Sequence, residues 1–208
     1  MISLDTALIK NRRRRRFVLG TMAAALTVSL APVPVHARQS AEEFINVLAN
    51  QVLDIVKNDE RLPEKREAFR TMLVANADIP AIAVFSLGRY ARKLSERDRI
   101  DYYGLVAAYI SHIFVTHAVN LGGEQVSVTG SVRRSEREML VSSRVRLIDG
   151  NSLPVTWRVV EIDGAFKVFD VSVNGIWLAI QQRSEFVSVV KRAGGDVQAL
   201  LAFLRGRS

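Results

Sequence analysis

The sequence predicts an α+β fold in which N-terminal helices pack on a curved four-stranded antiparallel sheet and C-terminal helices return against it. Two observations point there. The stretch from Ser40 to Asn120 carries apolar residues at helical spacing, whereas Gln125 to Val173 alternates in the manner of strands with hairpin turns at Asp149-Gly150-Asn151 and Asp163-Gly164. A third is the change of phase on the last strand, from Phe166 and Val168 to Val171 and Val173, which predicts a bulge or bend near Phe169-Asp170.

Ser40-Ala41-Glu42-Glu43 is a capping box, and the helix behind it is expected to turn Phe44, Val47, Leu48, Val52, Ile55 and Val56 inward. A second helix opens at Pro63, where a missing amide costs little, with Phe69, Met72 and Leu73 inward. AIAVFSLGRYARKL after Ile79-Pro80 reads as a short helix to Leu94, and Ser95-Glu96-Arg97-Asp98 starts another. That helix, from about Arg97 to Asn120, is the longest, with Ile100, Tyr103, Val106, Ala107, Ile110, Phe114 and Ala118 on its apolar stripe.

Four strands follow, Gln125 to Val132, Arg137 to Ile148, Leu153 to Glu161 and Phe166 to Val173. Met139, Val141, Val145 and Leu147 share a face on the second, and Val155, Trp157 and Val159 on the third. Asn174-Gly175 ends the sheet, a helix runs from Ile176 to Lys191, and a short one from Asp196 to about Leu204 closes the chain behind Gly194-Gly195.

The N-terminus has a different purpose. Five arginines, Arg12 to Arg16, precede the uncharged, apolar run Phe17 to Ala31, which leads through Pro32 and Pro34 to Val35-His36-Ala37. A positive start, a short apolar middle and a small-x-small end form a secretory signal peptide cleaved near Ala37. A retained membrane anchor is the alternative, but a spanning helix needs about 20 apolar residues. Arg14-Arg15-Arg16-Phe17-Val18-Leu19 also resembles a twin-arginine export signal, so the route is general secretion or folded export.

Residues 1–37 are therefore read as the signal and 38–208 as one domain. The signal holds six of the 29 basic residues and one of the 21 acidic ones, so its removal lowers the net charge from +8 to +3. The basicity belongs mostly to the export label, which excludes a nucleic-acid reading of the mature chain. No cysteine occurs, so an exported chain would be held by its core alone, which points to a bacterial periplasm.

Reactive chemistry is scarce. His36 leaves with the signal, and His112 and His117 sit about 140° apart round one helix, so they do not face a shared ligand. Asp98 and Asp101 lie among arginines in a first helical turn, where acids favour the dipole. No nucleophile–base set, phosphate-cradling glycine loop or transition-metal spacing stands in the sequence, and the expectation is a non-enzyme without metal or cofactor.

Two segments carry a resemblance. LGRYARKLSERDRIDYYGLVAAYI, Leu87 to Ile110, resembles the helix-turn-helix segment of the MlaC family, also called the toluene-tolerance auxiliary family. VTWRVVEIDGAFKVFDVSVNGIWLAIQQRSEFVSVV, Val155 to Val190, is similar to its closing strand pair and helix, through Phe169-Asp170, Gly175 and Gln182-Arg183-Ser184-Glu185-Phe186. The resemblance implies an NTF2/cystatin-like shape and a monomeric periplasmic phospholipid carrier. It also implies two partners, an outer-membrane lipoprotein complex and an inner-membrane ABC transporter in an Mla-type system that maintains outer-membrane lipid asymmetry. A similar branch of the family is associated with hopanoid lipids, which leaves the ligand open, and a non-lipid periplasmic adaptor or chaperone is the rival from another class.

A lipid carrier needs a dry sleeve, since each methylene taken from water is worth about 0.8 kcal/mol. Tyr103, Val106, Ile110 and Phe114 are expected to form one wall and Val145, Leu147, Trp157, Val159, Val171 and Trp177 the other. Arg89, Arg92, Lys93, Arg97 and Arg99 cluster at the turn between helices, and Arg133, Arg134, Arg137, Arg144 and Arg146 recur on the outer side of the sheet. They are solvated faces or, for the first cluster above all, a docking surface for acidic partner subunits or anionic headgroups.

Overall fold

The computed structural model describes residues 40–207, and the expected signal peptide lies outside them. Helix α1 (Ala41–Lys57) begins as the sequence requires, with Ser40 Oγ accepting from the Glu43 amide at 3.0 Å. Its buried stripe is Ile45, Leu48, Ala49, Leu53 and Val56, and Val47, expected inward, is 47% exposed. Val47 lies two residues from Ile45, about 200° round the axis, so only one of the pair can face the core. The helix ends on a buried cation: Lys65, 6% exposed, donates from Nζ to Val56 O and Asn58 O at 2.6 Å each.

Lys65 belongs to α2 (Leu62–Asn76), and α3 (Ile79–Leu87) follows, capped by Asp78 Oδ1 on the Ala81 amide at 3.1 Å. The single helix expected to run to Leu94 is broken at Gly88, whose φ of +58° closes α3 and starts a 3₁₀ helix over Gly88–Lys93. Helix α4 (Glu96–Leu121) starts on Ser95, which accepts from the Asp98 amide at 3.1 Å, and stops at left-handed Gly122.

Two stripes of α4 are covered. Tyr102, Val106 and Tyr109 pack into a core with α3, Phe186 and Val190, and Leu200, Leu201 and Leu204. Tyr103, Ala107 and Ile110 turn toward α1 and the sheet. Ile100, expected on the apolar stripe, is 70% exposed because it stands about 200° from Tyr102, which took the inward place.

The sheet is antiparallel in the order β1 (Gly123–Arg133), β2 (Glu138–Leu147), β3 (Ser152–Ile162), β4 (Ala165–Val173) and β5 (Ile176–Trp177). Five strands replace the expected four. Asn174 and Gly175 both have positive φ, the geometry of a two-residue hairpin, so Ile176 and Trp177 fold back to pair with Val173 and Ser172 before helix begins. Phe169 is the bulge the phase change foretold, since Arg158 pairs with Asp170 and Val159 with Val168. Two further irregularities on β1, at Glu124 and Thr129, add bends. Helices α5 (Leu178–Arg192) and α6 (Gln198–Arg205) complete the fold.

Candidate functional site

The inner face of the bent sheet does not meet the helices everywhere. Its cross-strand rows are apolar: Val126, Val145 and Leu153 stand opposite one another on β1, β2 and β3, and Val141, Trp157 and Val171 on β2, β3 and β4. Between these rows and the helices is a cavity of about 210 Å³. Helix α1 contributes Leu48, Ala49, Val52, Leu53 and Val56, α2 contributes Phe69, Met72, Leu73 and Asn76, and α4 contributes Ile110, Phe114 and Ala118. Phe69 and Phe114 stack at 4.2 Å between centroids, which joins the α2 and α4 walls.

Polar groups on the lining are turned away from the hollow. Trp157 donates from Nε1 to Ser143 Oγ at 2.9 Å, and Ser143 in turn donates to Val155 O at 3.3 Å, so the indole offers the cavity only carbon. Asn76 Nδ2 is spent on Met72 O at 2.9 Å. An apolar cavity of about 150 Å³ without polar anchors stays dry and accepts hydrocarbon, and this one is larger and as poor in anchors.

Lining residues reach the ends of β2 and β4 and the starts of β1 and β3, which an antiparallel order places at one end of the sheet. There Leu178, 39% exposed, joins the lining, so the hollow borders solvent at the start of α5. Gly123 permits the close approach of α1 at the same end: a Cβ on it would meet Leu53 Cδ2 at 2.9 Å and Val145 Cγ1 at 3.3 Å.

A family model described as MlaC protein matches residues 46–206. The chain belongs to the MlaC family. Its fold is similar to that of a phospholipid-binding protein from Ralstonia solanacearum, solved in complex with a phospholipid. That likeness has a TM-score of 0.71 at 20% identity, over 81% of this chain and 96% of the other. No curated protein matches the sequence.

In this MlaC-family chain, six of the ten residues expected around a hollow do line it: Ile110, Phe114, Val145, Leu147, Trp157 and Val171. The other four do not. Val106 is fully buried on the stripe of α4 that faces α5 and α6, and Val159 is fully buried one row beyond Trp157, against Val168. Tyr103 packs between both cores, and Trp177 sits on β5, paired with Ser172. What sequence reasoning missed is the wall from α1 and α2. Its signal was the pair of apolar stripes that include Leu48, Val52 and Val56 and Phe69, Met72 and Leu73, read as packing because periodicity is the same for a side chain facing a neighbour or a void.

The five cations at the α3–α4 connection are all exposed. Arg89 and Lys93 lie over the Tyr90 ring at 5.1 and 5.6 Å, and Lys93 donates to Gly195 O at 2.9 Å. Arg92, Arg97 and Arg99 make no side-chain hydrogen bond or ion pair among the described residues. On the sheet's outer side Arg146 is paired with Glu124 at 3.4 Å.

Titratable groups inside the fold serve structure. Asp170 Oδ1 accepts from the Val171 and Ala179 amides at 2.8 and 2.9 Å, fixing the start of α5 against β4, and burial raises its carboxyl above the ordinary range. Tyr109 donates to Glu185 Oε2 at 2.8 Å, and burial raises its phenol. His112 is held toward the neutral form by burial and by the cations of Arg66 and Arg207, while His117 is exposed. Among the described residues no group of His, Cys, Asp and Glu could hold a metal ion, and no helix is long and apolar enough to cross a membrane.

Proposed function

We propose that this protein is a periplasmic phospholipid carrier whose cavity between α1, α2, α4 and the sheet shelters acyl chains in transit. The observation that carries the reading is a hollow lined almost wholly by hydrocarbon in a chain of the MlaC family. The phospholipid bound by the similar Ralstonia protein supports the ligand class. An acyl chain gains about 0.8 kcal/mol per methylene on entering such a space, whereas an unpaired headgroup would lose by following. The headgroup therefore belongs at the Leu178 end, where the hollow meets solvent.

The tail-binding set is Ile110, Phe114, Val145, Leu147, Trp157 and Val171 together with the α1 and α2 wall. Residues 1–37 act as the export signal, cut near Ala37, and residues 38–208 form the lipid-binding domain. Arg92, Arg97 and Arg99, with Arg89 and Lys93, offer a cationic face to acidic surfaces of an outer-membrane lipoprotein complex and an inner-membrane ABC transporter. Carriage needs no reactive group, and none is assigned.

Organic extraction of the protein purified from a bacterial periplasm, followed by mass spectrometry, tests this reading. One phospholipid per chain is expected. A hopanoid in its place would keep the carrier role and replace the ligand, and a chain that is always empty would turn the reading to an adaptor.

A further inference from the structure

The seam between α2 and α4 has two sides. Its inner side is the Phe69–Phe114 stack that lines the apolar cavity. Its outer side opens a second groove of about 280 Å³, lined by Pro63, Arg66, Glu67 and Arg70 of α2 and by Ala108, Ser111 and His112 of α4. The spacings of three and four put each set on one helical face.

The charges there do not cancel. Glu67 is taken by Arg70, which donates from Nε and Nη2 at 3.0 Å each, and Glu64 is paired with Arg61. Arg66 has no carboxylate partner among the described residues. Its Nη2 donates to Thr116 Oγ1 at 3.2 Å, and Thr116 is itself held by donating to His112 O at 2.7 Å, so the guanidinium is oriented by a neutral group. Its Nε is shut off from water with no acceptor at all. A guanidinium so placed has donors to spare in a fork that matches the oxygens of a phosphate. The donors open to a ligand are those of Nη1 and the second N–H of Nη2, since the Nε that water cannot reach is closed to an anion as well.

We propose that this outer groove binds a small oxyanion of the phosphate class, clasped by Arg66 with His112 beside it. The phosphate is free or is the phosphodiester of a lipid headgroup, and the chemistry of the groove is shared by both. Burial first, and then the cations of Arg66 and Arg207, hold His112 toward the neutral form, and an anion in the groove would offset the second of these effects. The site is separate from the apolar cavity and does not rest on the carrier reading.

The test follows the His112 side chain by NMR while the purified chain is titrated at constant pH and ionic strength. Inorganic phosphate and a deacylated glycerophosphodiester headgroup are the two probes, with His117 as the internal control. A saturable shift of His112 alone is expected, together with a rise in the pH at which it titrates, because a bound anion favours the imidazolium. Response to phosphate alone assigns free phosphate, response to the diester alone assigns a headgroup, and response to both assigns the shared group. Arg66→Gln should weaken binding by about tenfold or more, and Arg66→Lys by less. Ala108→Glu, which supplies a carboxylate from within, should abolish it and serves where Arg66→Gln does not fold. No saturable His112 shift with either probe, or a shift unchanged in Arg66→Gln and Ala108→Glu, overturns the proposal.

Discussion

At Trp157 one hydrogen bond decides what the ring contributes. Because Nε1 is satisfied by Ser143 on the neighbouring strand, the indole can line a dry space without leaving a polar atom in it. Ala49 has the complementary role: it is buried, small and on the lining, so a larger side chain there would grow into the void. Ala49→Phe should cost no more than the roughly 1–3 kcal/mol of an overpacked core, since part of the ring enters the void instead of displacing neighbours. Lipid recovered with the chain should fall well below one per molecule, as extraction of both forms would show. Asp170 answers to pH. Its folded carboxyl is raised from an ordinary value of 3.8, so its contribution favours the folded state below that value and is lost as pH rises through the raised one. Urea denaturation at about pH 4 and about pH 7 should show wild type losing stability relative to Asp170→Asn as pH rises. Asp170→Ala, which strips two amides of their acceptor, should cost about 1–3 kcal/mol at either pH.

Among the elements, α1 depends on a residue outside itself. The Lys65 ammonium satisfies two carbonyls at and beyond its last turn, where a cation also meets the helix dipole. Lys65→Met keeps the stem and removes the donor, and the expected loss is about 1–3 kcal/mol in chemical denaturation. Hydrogen exchange should rise first at the C-terminal turn of α1, the part that carries Leu53 and Val56 onto the cavity. The elements were largely legible in the sequence because their signals are local. Ser40 and Ser95 cap where a serine before an acidic turn should, and the phase change on β4 became the Phe169 bulge. Where reading failed, two apolar residues competed for one face, as with Val47 against Ile45 and Ile100 against Tyr102, and only tertiary packing selected between them. Asn174-Gly175 was a hairpin signal taken for a terminator, so β5 was missed. For the cavity the limit is of another kind: α4 and the sheet were expected to supply its walls, yet nothing local told α1 and α2 that they face a hollow.

For the whole molecule, the claim is that bent strands and three helices enclose a space that hydrocarbon enters. The chain carries a built-in reporter, because it has two tryptophans and only Trp157 lines that space. Phospholipids brominated along the acyl chain quench an indole on contact. In a Trp177→Phe variant, loading with such a lipid should extinguish most of the Trp157 emission, whereas in Trp157→Phe the emission of Trp177 should change little. Bound brominated lipid that leaves Trp157 bright, or that quenches Trp177 in preference, would contradict the placement of acyl chains in this cavity.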